Sequence, residues 1–287
     1  MRLRSLLFVP GDSERKFEKA RHCGADGLIL DLEDAVAPSR KAEARALVAG
    51  FVIDKTPRSW SFWVRVNPFD TAMTLDDLAA VVAPGLVGIV LPKANDAQDV
   101  SRLAHYLDAF EMKAGVEAGQ VKILVVATET PQAMFNLGTY ASPHPRLAAL
   151  TWGAEDLGAA IGATANKEAD GEWTAPYQIA RSMCLFASAA ADVLAIDTVY
   201  ADFRDTEGLA ASCRRSRRDG FVGRVAIHPD QVETINRRFS PSDEDVAHAR
   251  RVVQAFADRP DAGTIGIDGK MYDIPHLKQA RRVLASI

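Results

Sequence analysis

Two carboxylates, Glu129 and Asp156, each fall a few residues past a short apolar run, in Glu129-Thr130-Pro131 and Gly153-Ala154-Glu155-Asp156. If those runs are adjacent strands, both acids reach the same rim. Two converging carboxylates with few histidines nearby suit a hard cation. Mg²⁺ takes one or two carboxylates and completes its shell with water and substrate oxygens. The competing reading makes each acid a cap for the helix that follows it. Zinc is disfavoured, because the six histidines are scattered and only His228 falls on that rim.

Arg65 ends an apolar Phe-Trp-Val-Arg-Val run. A charge inside a strand layer is costly unless it is paired. It therefore clamps a substrate carboxylate, pairs with Glu33 or Asp34, or does both. Asp31, Glu33 and Asp34 put three acids in four positions. Alternation sends Asp31 and Glu33 to one side and Asp34 to the turn. Such crowding suits a proton-transfer site; the alternative is a solvated loop paired with Lys93, Arg65 or Arg40. Lys93 suits a Schiff base or, beside a metal site, an anion-binding or ion-pairing role. Pro10-Gly11-Asp12-Ser13 turns into a helix N-terminus, a natural anion site, and Arg15 and Lys19 stack one turn apart there, within reach of a phosphate. The Gly153-Ala154-Glu155 turn offers backbone N–H groups to a carboxylate.

The elements that must position these residues follow a rhythm of short apolar runs and longer amphipathic ones. Candidate strands are Ser5–Val9, Gly27–Leu32, Phe62–Val66, Val87–Leu91, Ile123–Ala127, Ala148–Trp152, Val193–Asp197 and Gly223–Ile227. Helical spacing recurs between them, as in Ser13–His22, Arg40–Phe51, Leu75–Val82, Val100–Glu111 and Thr206–Arg218. Eight strands with crossover helices call for a parallel sheet covered on both faces. A closed (β/α)₈ TIM barrel is favoured over an open doubly wound sheet. Polar and turn residues gather just after the strands, with no such concentration before them. In such a barrel those positions form the C-terminal rim, where active sites are built.

The barrel is expected over residues 1–240, and a C-terminal helical and loop extension over 241–287, packing on the barrel or on a neighbouring subunit. Within it Ser242 to about Asp258 reads as a helix, Arg259–Asp273 as an extended loop or hairpin, and Pro275–Ser286 as a final helix.

A length of 287 residues, 48% of them hydrophobic, fits one barrel of ordinary globular composition. Net charge is −4, and the densest basic cluster, Arg214-Arg215-Ser216-Arg217-Arg218, reads as the solvated end of a helix. Nucleic acid is not a favoured partner. No apolar run approaches the roughly 20 residues of a membrane span, and the segment starting at Met1 is too short for a signal sequence. Cys23, Cys184 and Cys213 read as buried reduced thiols, and the expected compartment is the cytoplasm.

Together these segments resemble the citrate lyase β-subunit-like family, which includes malyl-CoA, citramalyl-CoA and citryl lyases. The resemblance rests on Arg4-Ser5-Leu6-Leu7-Phe8-Val9-Pro10-Gly11, Leu30-Asp31-Leu32-Glu33-Asp34-Ala35-Val36 and Val64-Arg65-Val66-Asn67. It continues through Leu91-Pro92-Lys93, Glu129-Thr130-Pro131, Gly153-Ala154-Glu155-Asp156-Leu157 and Ile227-His228-Pro229, in order along nearly the whole chain. It implies a (β/α)₈ barrel assembled as homotrimers or hexamers with a shared active site. Glu129 and Asp156 then bind Mg²⁺, with Mn²⁺ as a substitute ion, and Arg65 holds the oxo-acid carboxylate with the Gly153–Asp156 turn. Glu33 and Asp34 orient Lys93 or a water on the metal. Gly269-Lys270-Met271-Tyr272-Asp273-Ile274-Pro275 resembles the C-terminal motif of the CoA-dependent members. There the aspartate, Asp273 here, enters the neighbouring subunit's site as acid/base; without the resemblance it would be a turn residue.

The implied activity is cleavage or formation of a 3-hydroxy-3-carboxyacyl-CoA thioester, such as citramalyl-CoA or malyl-CoA, giving acetyl-CoA and a 2-oxo acid. Two alternatives stand beside it. One is the citryl-acyl-carrier lyase β subunit of a citrate lyase complex. The other is a metal-dependent pyruvate or phosphoenolpyruvate aldolase that uses no thioester.

Overall fold

Short runs of β-branched and leucine residues, buried on both faces, form the strands of this chain. In the computed structural model they are β1 (Ser5–Pro10), β2 (Gly27–Asp31), β3 (Ser61–Arg65), β4 (Gly88–Leu91), β5 (Lys122–Val126), β6 (Leu147–Thr151), β7 (Leu194–Asp197) and β8 (Gly223–Ala226). The structure describes residues 2–54, 56–285 and 287. Each strand pairs in parallel with the next, and β8 pairs with β1 to close the barrel. All five residues of β2 are buried, as a strand between an interior and a helical layer requires.

Helices α1 (Glu14–Ala20), α2 (Lys41–Ile53), α3 (Thr74–Val81), α4 (Ala97–Ala114), α5 (Pro131–Asn136), α6 (Ala154–Ile161), α7 (Ala175–Ala190) and α8 (Thr206–Asp219) lie between the strands, and α9 (Val232–Phe239) follows the last. The basic run of α8 ends the helix, with Arg217 and Arg218 in its last turn before the left-handed cap at Gly220. The helix expected at Val100–Glu111 is longer, because Asp96 caps it with two backbone N–H bonds and Gly115 ends it in a left-handed turn.

Inward positions of successive strands fill the barrel. Leu6, Ile29, Trp63, Leu124, Ala149 and Ile196 belong to one buried cluster. Trp63 fits because Gly88 faces it; a Cβ there would stand 2.3 Å from the indole. This pairing of large with small is how barrel layers interlock. The strand starts are more charged than expected. Arg4 pairs with Asp26 at 2.8 Å, and Arg146 with Glu111 at 2.6 Å and with Asp108. These groups sit at the foot of the strands as closed pairs, which the sequence does not mark as partners. Cys184 and Cys213 are buried, whereas Cys23, just past α1, is only half-buried; all three are free.

The chain divides into two compact units, residues 3–236 and 237–287. In the second, α10 (Asp243–Ala257) starts at a capping box between Ser242 and Asp245. A hairpin of β9 (Thr264–Ile267) and β10 (Lys270–Asp273) turns through Asp268 and Gly269, both at positive φ, the geometry that favours an Asp-Gly pair. The last helix, α11 (Ile274–Ala285), begins one residue before the expected start. Val252, Phe256, Ile265 and Leu277 form this unit's own core. Met1 and Lys55, within the range expected for the barrel, and Ser286, the expected end of the last helix, lie outside the described residues.

Candidate active site

A cavity of about 290 Å³ opens at the C-terminal end of the barrel. Its apolar wall includes Phe8, Ile29, Val90, Leu124, Val126 and Val225, while Asp31, Asp34, Arg65, Glu129 and the turn 152–156 supply the polar side. The register explains the first contact. Asp31 of β2 lies opposite Arg65 of β3. Arg65 Nε and Nη2 therefore donate to the two Asp31 oxygens at 2.8 and 2.7 Å, a bidentate charge-assisted pair. The Phe8 ring packs 4.6 Å from the guanidinium carbon. Asp31 also accepts the backbone N–H groups of Glu33 and Ala35, so the turn after β2 folds around it. Burial works against the Arg65 charge, but Asp31 and then Glu33 outweigh it and hold the guanidinium above its ordinary range.

Glu33 is buried between two cations. Its Oε1 accepts from Lys93 Nζ. Its Oε2 stands 3.0 Å from Arg65 Nη1, yet no hydrogen bond is aligned on that oxygen. The contact is an ion pair that leaves a buried acceptor open. Burial pushes the Glu33 carboxyl upward despite Arg65 and Lys93. Asp34 is the exposed acid of the triplet, 3.1 Å from Lys93 Nζ. Arg40, one of its expected partners, pairs instead with Asp12 and Glu43.

Lys93 follows β4 in a left-handed conformation, φ 51°, which is uncommon outside glycine and asparagine. The turn aims its backbone N–H at Glu129 Oε2, 2.5 Å away. Its ammonium meanwhile meets Glu33 and Asp34 and lies 3.4 Å from Asp156 Oδ1. Burial lowers the ammonium's pKa, but Glu33 and the other acids more than reverse that. Lys93 is thus held protonated, and the free amine that a Schiff base needs is scarce.

Glu129 projects from the loop after β5 and is only 4% exposed. Burial pushes its carboxyl up to about 8, with Asp156 and Glu33 adding to the shift and the Lys93 N–H and Arg65 opposing it. It does not cap α5, since Thr130 Oγ1 accepts the Ala133 N–H. Asp156 lies in the first turn of α6, whose N-cap position, Gly153, makes no side-chain cap bond. Gly153 has a packing reason: a Cβ there would stand 2.7 Å from Glu129 Cγ. Only glycine lets this turn close onto the carboxylate.

Five carboxylates, Asp31, Glu33, Asp34, Glu129 and Asp156, are thus linked through two cations, Arg65 and Lys93. That excess of hard oxygen donors, with the buried Glu33 and Glu129 both pushed upward, fits a divalent ion. Among the described residues no group of three or more His, Cys, Asp or Glu side chains makes a full ligand set. The two-carboxylate arrangement matches Mg²⁺ better than a metal that demands a protein cage.

Other expected residues stand apart from this cluster. Arg15 and Lys19 are exposed on α1 and do not line the cavity. His228 stacks on Phe203 at 4.5 Å, and its Nδ1 accepts the Asp230 N–H. In the second unit, Asp273 ends β10 and its Oδ1 lies 2.5 Å from His276 Nδ1. That hydrogen bond keeps the Asp273 carboxyl below its ordinary value. Sequence reasoning passed over His276, although a three-residue spacing at a helix start is a usable signal. It also passed over Lys41. This buried ammonium donates to the Leu32 and Glu33 carbonyls at 2.7 Å and to Asn67 Oδ1 at 2.8 Å, pinning the acidic turn from behind. A lysine at the start of an amphipathic helix carries no mark of that role.

A closed eight-stranded barrel with this rim, 31% identical over 293 residues (98% of this chain, 84% of the relative) to the mitochondrial citramalyl-CoA lyase of Homo sapiens, falls in the class of carbon–carbon lyases. More particularly, the chain belongs to the HpcH/HpaI aldolase/citrate lyase family, whose model matches residues 4–229. It is 35% identical to a (3S)-malyl-CoA thioesterase of Cereibacter sphaeroides over 285 residues, 98% of this chain and 93% of that protein. It is 34% identical to citrate lyase subunit beta of Haemophilus influenzae over 283 residues, 98% of this chain and 95% of the relative. Protein CitE from Mycobacterium tuberculosis, solved in complex with magnesium, acetoacetate and coenzyme A, matches with a TM-score of 0.78 at 33% identity, covering 99% of this chain and 98% of that one. Among the described residues, no helix is long and apolar enough to cross a membrane.

Proposed function

We propose that the protein is a Mg²⁺-dependent lyase that cleaves or forms a 3-hydroxy-3-carboxyacyl-CoA thioester, with acetyl-CoA and a 2-oxo acid as the other side of the reaction. The observation that carries this reading is the surplus of carboxylate on one cavity, with Glu129 and Asp156 both lining it. Glu129 and Asp156 hold the ion, which when bound supplies an electrophile for the carbinol or oxo oxygen. Arg65 commits two of its five N–H groups to Asp31 and turns others to the substrate carboxylate. The Gly153–Glu155 backbone at the start of α6 offers a second hold on that carboxylate. Glu33 and Asp34 fix the Lys93 ammonium beside Asp156, while the Lys93 backbone N–H is donated to Glu129.

Asp273 serves as the acid/base on the thioester's α-carbon, delivered by residues 241–287 into a neighbouring subunit's site in a homotrimer. His276 supports the base role, since it favours the carboxylate form of Asp273. Three free cysteines suit a reducing cytoplasm. The test offers purified enzyme citramalyl-CoA, malyl-CoA and a citryl carrier protein with Mg²⁺. Acetyl-CoA and a 2-oxo acid are the expected products of the CoA esters. Free CoA with intact hydroxy acid would replace the lyase reading with thioester hydrolysis, and turnover of the carrier alone would make the thioester protein-borne.

A further inference from the structure

Arg65 is the one Lys, Arg or His among the described residues that line the cavity. Its guanidinium is already paired with Asp31 and Glu33. Away from the acidic rim the wall is uncharged. Val90 and Leu124 are fully buried on β4 and β5, Val126 and Val225 are nearly so, and Ile227, just past β8, is 41% exposed. The hydroxyl of Thr151, on β6, is buried without a hydrogen-bond partner.

A 2-oxo acid has three features to place. Its carboxylate and oxo oxygens belong with Glu129, Asp156 and Arg65, so its side group must meet the rest of the wall. A carboxylate buried there would find no counter-charge, an arrangement that costs far more than an alkyl group gains. Hydrogen in place of the side group would leave apolar wall unfilled.

We infer that this wall selects a 2-oxo acid with an uncharged alkyl side group, and hence a thioester whose carbinol carbon bears an alkyl substituent rather than hydrogen or a carboxymethyl arm. The inference rests on the lyase reading above and narrows its substrate class.

Calorimetric titration of the full chain with Mg²⁺ tests it directly, using glyoxylate, pyruvate, 2-oxobutyrate and oxaloacetate. The dissociation constant should tighten about tenfold from glyoxylate to pyruvate, the scale of one methyl group in an apolar pocket. 2-Oxobutyrate should bind at least as well as pyruvate. Oxaloacetate, which carries a carboxylate where 2-oxobutyrate has a methyl, should bind at least about tenfold more weakly. Ile227→Arg should narrow that last gap by supplying a cation at the mouth. Glyoxylate equal to pyruvate, or oxaloacetate equal to 2-oxobutyrate, overturns the inference, as does an absence of binding by all four.

Condensation of the same acids with acetyl-CoA separates this claim from the one beneath it. The expected binding order without any condensation sinks the lyase and keeps the side-group selection. Condensation that prefers oxaloacetate does the reverse.

Discussion

Two buried acids of the barrel, Asp197 and Glu129, meet opposite fates. Asp197 ends β7, and both its oxygens are saturated. Trp152 Nε1 and the Thr198 N–H donate to Oδ1 at 2.6 and 2.8 Å, while Ser216, Arg181 and Arg224 converge on Oδ2. Burial alone would raise its pKa, but Arg224 and Arg181 bring it below the ordinary value. Glu129 is nearly as buried, yet two further acids face it and its carboxyl is pushed up to about 8. The difference is one of satisfaction. A buried charge with every lone pair occupied holds the β7–β8 wall to α7 and α8. A buried charge left short of partners waits for a cation.

The sharpest way to break this comparison is to neutralise each acid in turn. Glu129→Gln or Asp156→Ala should cut Mg²⁺-dependent turnover by at least about a thousandfold, on the scale of losing a principal electrostatic group, with little loss of fold. Full activity in either variant, measured with saturating Mg²⁺, ends the metal assignment. Asp197→Asn should do the opposite, lowering stability by about 3–5 kcal/mol because the buried Arg224 loses its counter-charge, while Arg181 keeps only its pair with Asp219. Denaturant titration reads that loss, and turnover per folded molecule should change little. A thousandfold drop in turnover with normal stability would make Asp197 part of the site.

Mixing inactive Asp273→Ala subunits with inactive Arg65→Ala subunits should restore a fraction of wild-type activity if one subunit's Asp273 serves another's Arg65. Subunits shown to exchange by mass spectrometry, yet inactive together, would remove the shared site.

A smaller effect sharpens the electrostatic contrast. Since burial raises Glu129, the folded protein keeps a proton there from its ordinary value of 4.5 to about 8. Stability of the metal-free protein should therefore decline as pH climbs through that window. Mg²⁺ must displace the proton, so its apparent affinity should rise about tenfold per pH unit and level off above about pH 8. A flat profile in wild type, or a slope retained in Glu129→Gln, would contradict this. The smallest change is expected from His276→Ala, which should move the acidic limb of the pH–rate profile upward as Asp273 loses the partner that lowers it.

Much of this was legible from residue order. Eight apolar runs, each followed by polar residues, spell a closed barrel and its working rim, and Glu129, Asp156, Arg65, Glu33, Asp34 and the Gly153–Glu155 turn all fall there. Strand ends moved by a residue or two because backbone pairing, which neighbouring strands decide, sets where a ladder stops. The roles within the rim were not legible. Whether Arg65 pairs with Asp31 or with Asp34 depends on the register of β2 against β3. Lys41 supports the acidic turn only because α2 folds back beneath it.

Residue types and their periodicity alone determined the barrel and the set of groups at its mouth, since hydrophobic spacing is a local property of the chain. Tertiary structure alone decided which carboxylates are satisfied and which are left wanting. Charge balance in a buried site is a sum over several strands, and no single stretch of sequence holds it.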